Sequence, residues 1–196
     1  MVTGQRNYRG KTGPVEAIID IQGIEKIKQL LSDQPRNLAL FLMGINCNLR
    51  SSDLLKIQIG KLRGVKPGGY FQIREKTGNT RKVYVHEGMH RAITTLLDTL
   101  SEHPDDAPLF QSRKGGGQLT AVQLNRLVKQ WCASAGLKGQ YGAMSLHKTW
   151  AYTLYMHHGA ELKSLSRGLG HNGKTTTLRF LGLTERNVTD LPVVEI

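Results

Sequence analysis

Cysteine is nearly absent from this chain: Cys47 and Cys132 are the only two. They form no CxxC pair and stand far apart, which argues against a disulfide-stapled scaffold and leaves two reduced, partly buried thiols in a cytoplasmic protein. Long apolar runs are missing as well. No stretch approaches the ~20 residues a membrane span needs, and the first thirty residues hold no signal-type apolar core. Acidic residues are the third shortage, with 15 Asp and Glu against 27 Lys and Arg, a formal charge of +12. Such an excess implies a polyanionic partner. Nucleic acid is the first candidate, because the cations are spread along the chain and not gathered on one amphipathic helix as in a membrane-surface binder. A basic protein without such a partner is the alternative. At 196 residues the chain suffices for one domain burying about two-thirds to three-quarters of its unfolded surface. No metal or disulfide is needed to hold it, and no cofactor is expected.

Residues 1–14 are polar, glycine-rich and basic, and read as a flexible arm whose Arg6, Arg9 and Lys11 could touch phosphates. The domain proper is expected over 15–196. Helices are expected from Asp20 to Asp33, capped by Asp20, from Asn37 to Cys47 after Pro35, and from Ser51 onward. Two β-rich runs, 68–74 and 81–85, flank a hairpin turn at Gly78-Asn79. Further helices are expected over Glu87 to Ser101, Thr120 to Ala135, Ser145 to His158, Glu161 to Leu169 and Thr175 to Leu183. Arg113-Lys114-Gly115-Gly116-Gly117 reads as a flexible connector, since three glycines without a flanking strand and helix are a weak phosphate-loop signal.

Four segments carry chemistry. Ala143-Met144-Ser145-Leu146-His147-Lys148-Thr149-Trp150-Ala151-Tyr152 reads as a helix entered at Ser145, with His147, Lys148 and Thr149 on its first turn, where backbone amides favour an anion such as phosphate. Gly44-Ile45-Asn46-Cys47-Asn48-Leu49-Arg50-Ser51-Ser52-Asp53 ends one helix and starts another, and places Arg50 between them. Lys76 stands in the hairpin. Downstream come Leu169-Gly170-His171 and Thr176-Thr177-Leu178-Arg179-Phe180.

In this order and at these intervals, over about residues 15–188, the segments resemble the active-site boxes of the tyrosine recombinases, or phage integrases. The resemblance implies that Arg50 holds two oxygens of a scissile phosphate. It implies that Lys76 donates a proton to the departing 5′ oxygen of DNA and that His171 hydrogen-bonds the phosphate. Lys148, Thr149 and Trp150 fall on the expected residue types. Three positions depart. Met144 stands where the family has a histidine, His147 where it has an arginine, and Phe180 where it has the tyrosine that attacks phosphorus. Phenylalanine has no oxygen for that attack, methionine moves no proton, and a histidine near its ordinary pKa is a weaker charge than an arginine. Tyr152 and Tyr155 are the nearest other tyrosines, and Tyr155 is the better substitute nucleophile of the two.

The resemblance implies a mainly α fold with a small antiparallel β-hairpin sheet, like the recombinase catalytic domain, without the N-terminal DNA-clamping domain most members carry. The expected partner is double-stranded DNA, contacted through Arg50, Lys76, Lys148, Thr149, His171 and Arg179. The first functional expectation is a DNA-binding protein unable to cleave. An active site-specific recombinase using another tyrosine, or acting in trans with a partner subunit, is the second. A basic structural protein that has lost DNA contact is the third. The tail 184–196, with apolar Leu191, Val193, Val194 and Ile196, resembles the segment that family members pack on a neighbouring subunit; closure onto its own domain is the other option.

Overall fold

A computed structural model describes residues 15–74, 78–113 and 115–183. The expected basic arm, Lys76, Lys114 and the tail from 184 lie outside these described residues.

All eight expected helices and both strands occur. Helix α1 (Ile21–Leu30) starts where Asp20 accepts a hydrogen bond from the Gln22 amide, the side-chain cap that an aspartate there provides. Helix α2 (Pro35–Asn46) opens on its proline and is the most deeply buried, with Ala39, Leu40, Phe41 and Met43 fully enclosed. It packs against α4 (Glu87–Asp98) on one side and α6 (Ala143–His157) on another. Between α2 and α6 the approach is so close that a Cβ on Gly44 would lie 2.6 Å from Leu146, so the glycine is what lets α6 cross there. Phe41 meets Trp131 of α5 (Ala121–Ser134) edge to face at 6.0 Å. Burial of side chains this size stabilises by about 1.5–3 kcal/mol each. Short α3 (Ser51–Leu54) follows α2 after four residues.

Strands β1 (Tyr70–Arg74) and β2 (Thr80–Tyr84) pair antiparallel, Tyr70 opposite Tyr84 and Ile73 opposite Arg81. Side chains alternate across the sheet, so Phe71, Ile73 and Val83 enter the core while Tyr70, Lys82 and Tyr84 face out. Arg81 shares the inner face with Ile73, at the end nearest the turn.

The apolar interior is in two parts. The large one joins α1 to α5 with Leu146 of α6. A small one, Ala151, Leu165, Leu169 and Leu181, joins the second half of α6 to α7 (Leu162–Leu169) and α8 (Lys174–Leu181). Both cysteines are buried and unpaired, and burial pushes each thiol up to about 12. No helix among the described residues is long and apolar enough to cross a membrane.

The glycine-rich stretch after Arg113 is flanked by backbone pairing: the Ser112 amide donates to Gly117 O at 2.7 Å and that of Leu119 to Phe110 O at 2.8 Å. One local expectation needs correction. Helix α6 begins at Ala143, two residues before Ser145, because Ser145 acts inside the first turn, its Oγ accepting from the Gly142 amide at 3.0 Å. His147, Lys148 and Thr149 consequently lie on the second turn and are buried.

Candidate functional site

The site is built around Arg50. Between α2 and α3 the backbone is extended at Cys47 and Arg50, and Cys47 and Leu49 are buried at 3% and 2% exposure. The Leu49 amide bonds back to Cys47 O at 2.8 Å, a tight turn centred on Asn48, and leaves Asn48 half-buried and Arg50 exposed. Helix α7 stops at Gly170, whose φ of 68° is the left-handed conformation glycine favours. The His171 amide then bonds back to Ser166 O at 2.9 Å, which brings Gly170 against Arg50: a Cβ on Gly170 would lie 3.8 Å from Arg50 Nη2.

A cleft of about 130 Å³ opens at this junction, lined by Arg50, Asn48, His147 and the 167–170 turn, with Asn79 and Arg81 reaching in from the hairpin. Its hub is the Gly168 carbonyl, which accepts from Asn48 Nδ2 at 2.8 Å and from Arg81 Nη2 at 3.2 Å. With the Asn48 amide donating there, its Oδ1 is left to accept from His147 Nε2 at 2.7 Å.

Phe180, on the last turn of α8, stands between the two imidazoles. Its ring centroid is 5.6 Å from that of His147 and 5.1 Å from that of His171, edge-on to both, and Lys148 Nζ lies 5.2 Å from its centre. His171 Nδ1 is 3.1 Å from Thr177 Oγ1, and that hydroxyl donates to Gly173 O at 3.3 Å. Thr177 therefore accepts from the ring, and His171 can donate from Nε2 only when protonated. Burial first, then the Arg50 charge, holds its pKa below the ordinary 6.5; an anion seated on Arg50 would oppose the second effect.

Thr149, Met144 and Tyr155 are turned elsewhere, and Lys148 lines a second cleft besides standing near Phe180. Thr149 is 2% exposed, donating to Ser145 O and accepting from the Ile18 amide, both at 2.8 Å. Its hydroxyl ties the N-terminal segment to α6 and does not reach a surface where DNA could meet it. Lys148 is 8% exposed and, with Arg179, Tyr141 and Tyr152, lines a different and larger cleft of about 600 Å³. Burial lowers its pKa, with Glu16 opposing. The amides expected to hold an anion at the start of α6 are engaged internally, that of Ala143 by Asn125 Oδ1 at 3.0 Å and that of Gly142 by Ser145. Met144 is 41% exposed and lines neither cleft. Tyr155 packs on the small apolar cluster.

The sequence profile of the phage integrase family matches residues 18–186. The chain belongs to the phage integrase family. The probable integrase/recombinase YoeC of Bacillus subtilis (strain 168) is 28% identical over 172 residues, 87% of this chain and 91% of that protein. Tyrosine recombinase XerC of Caldanaerobacter subterraneus subsp. tengcongensis is also 28% identical, over 79% of this chain, which spans only 44% of XerC. Among solved structures, XerA recombinase superposes with a TM-score of 0.71 at 18% identity, covering 94% of this chain and 64% of that one. XerH bound to its palindromic difH substrate, in a post-cleavage complex, gives 0.66 at 20%, over 93% and 54%. These structural neighbours are recombinase catalytic domains, and the mainly helical fold with its two-stranded sheet is theirs.

Within this phage integrase fold the sequence reading missed Asn48, Asn79, Arg81 and Arg167, all of which line the Arg50 cleft. Asn48 was within reach, being two residues before Arg50 in the short link between two helices. For Arg81 the signal was strand alternation opposite Ile73. Arg167 carried none, since it joins the cleft only through the turn at Gly170.

Proposed function

We propose that this phage integrase-family chain acts in DNA recombination by gripping the backbone phosphates of duplex DNA, and that it does not cut them. The observation that carries the reading is Phe180: the position where the family places its nucleophile is occupied by a ring in contact with both imidazoles, and no pKa adjustment gives that ring an oxygen. The guanidinium of Arg50, at a cleft with no carboxylate among its described lining residues, supports retained phosphate binding. Contacts are proposed for Arg50, His171 and the hairpin lysine Lys76. A neighbouring recombinase subunit is the proposed partner of the apolar tail residues Leu191, Val193, Val194 and Ile196.

Two measurements test this. Duplex binding should weaken with salt at a log–log slope of about −4 to −7, near −0.9 for each phosphate neutralised, and binding indifferent to salt would remove the phosphate reading. A nicked suicide substrate should leave no covalent adduct on a denaturing gel. An adduct that disappears in Tyr155→Phe would instead establish an active recombinase with a relocated nucleophile.

A further inference from the structure

Arg50 is not alone at its cleft. Arg81 comes from β2 and Arg167 from the last turn of α7, so three arginines from three separate parts of the fold line one volume of about 130 Å³. The amides of Asn48 and Asn79 also line it, and no described lining residue is acidic. That volume is roughly four waters' worth, room for a tetrahedral oxyanion. The charges of Arg50 and Arg167 share this small space, and an anion placed between them is attracted to both. Arg167 is exposed and has no hydrogen bond or ion pair among the described residues.

We infer that Arg81 and Arg167 supply the second guanidinium arm of the phosphate site, the arm His147 does not provide, and that His147 is a positioning residue. The inference rests on the DNA-phosphate reading above. His147 Nε2 holds Asn48, and Asn48 holds the Gly168 carbonyl at 2.8 Å. That carbonyl also receives Arg81 Nη2 and directly follows Arg167 in the chain. One imidazole thereby sets the position of both arginines without touching the ligand. The ligand class is the phosphodiester of a duplex backbone, which planar forked donors grip through two oxygens at once.

The test is equilibrium binding of one fixed DNA duplex at several salt concentrations. Arg167→Ala and Arg81→Ala should each weaken binding about tenfold or more, and each should make the salt slope shallower by about one. Arg126→Ala, on α5 and outside the cleft, controls for net charge and should change affinity less than twofold. His147→Ala should weaken binding with the slope unchanged, because no phosphate contact is lost, and His147→Gln, which keeps a donor for Asn48, should restore it. Arginine variants that bind like wild type while Arg50→Ala is impaired would overturn this inference and leave the DNA reading standing. A His147→Ala slope reduced by one would also overturn it, showing the imidazole to be a direct contact. Failure of the wild-type chain to bind the duplex at low salt would overturn the DNA reading itself, and this inference with it.

Discussion

On the proposed reading, Phe180 lacks the one oxygen atom that a nucleophile needs, yet restoring that atom should restore little. In Phe180→Tyr the new hydroxyl would be carried on a ring that lies edge-on to His147 and His171, with the Lys148 ammonium over its face. The transition state would still face an imidazole engaged with Asn48 where the family has a guanidinium, and a methionine where it has a histidine. Losing one preorganised donor costs a factor of about 10²–10³ in rate, so Phe180→Tyr alone should give no adduct above background. The triple variant Phe180→Tyr, His147→Arg, Met144→His should be the first to show one on a denaturing gel. An adduct from the single variant would mean that the arginines already in the cleft suffice for chemistry. Thr149 teaches a different lesson at this scale. It matches the family's residue type, and the Ile18 amide that depends on its hydroxyl explains its presence without any ligand.

Helix starts are where sequence and structure can be compared most directly. Asp20 and Thr120 cap their helices as their residue types foretell, Thr120 in a reciprocal pair with Gln123. Helix α4 is capped by a less expected residue, His86, whose Nδ1 accepts from the Met89 amide at 3.3 Å. Only the neutral ring can do this. Burial, then the charges of Lys28 and Arg91, hold its pKa below the ordinary 6.5. The unfolded chain thus takes up the proton at higher pH than the folded one, so the stability His86 gives is whole above about pH 6.5 and is lost as pH falls below it. His86→Asn, which caps without titrating, should keep a contribution of about 1 kcal/mol and flatten the stability profile between about pH 7 and 5, as read by urea denaturation at each pH. A slope unchanged by the substitution would place the pH sensitivity elsewhere. The elements were legible because capping and periodicity are local. The start of α6 was not, since a serine inside the first turn and a serine before it look alike in sequence, and only the Gly142 and Asn125 contacts separate them. The site was half legible: Arg50, His147, His171 and Phe180 lie in recognisable boxes, whereas Arg81 and Arg167 reach the cleft through register and a turn that no linear motif encodes.

For the molecule as a whole, a charge of +12 attracts polyanions from a distance in a manner set by ionic strength, and the cleft at Arg50 is where the proposed phosphate contact would end that approach. The cleft straddles a structural seam. Arg50 belongs to the part built on the large apolar cluster, whereas Arg167 belongs to α7, which with α8 rests on the four-residue cluster of Ala151, Leu165, Leu169 and Leu181. A core that small gives its helices less protection than the one around α2, and regions of unequal protection open as separate cooperative units. In native-state hydrogen exchange the amides of α7 and α8 should therefore trade for deuterium together, well ahead of those of α2, and Leu165→Ala should accelerate that unit while leaving α2 unchanged. Uniform exchange across both parts would show a single unit. If the two do open separately, a phosphate held by Arg50 on one side and Arg167 on the other works as a clasp, and duplex DNA should slow deuterium uptake in α7 and α8 more than anywhere else in the chain.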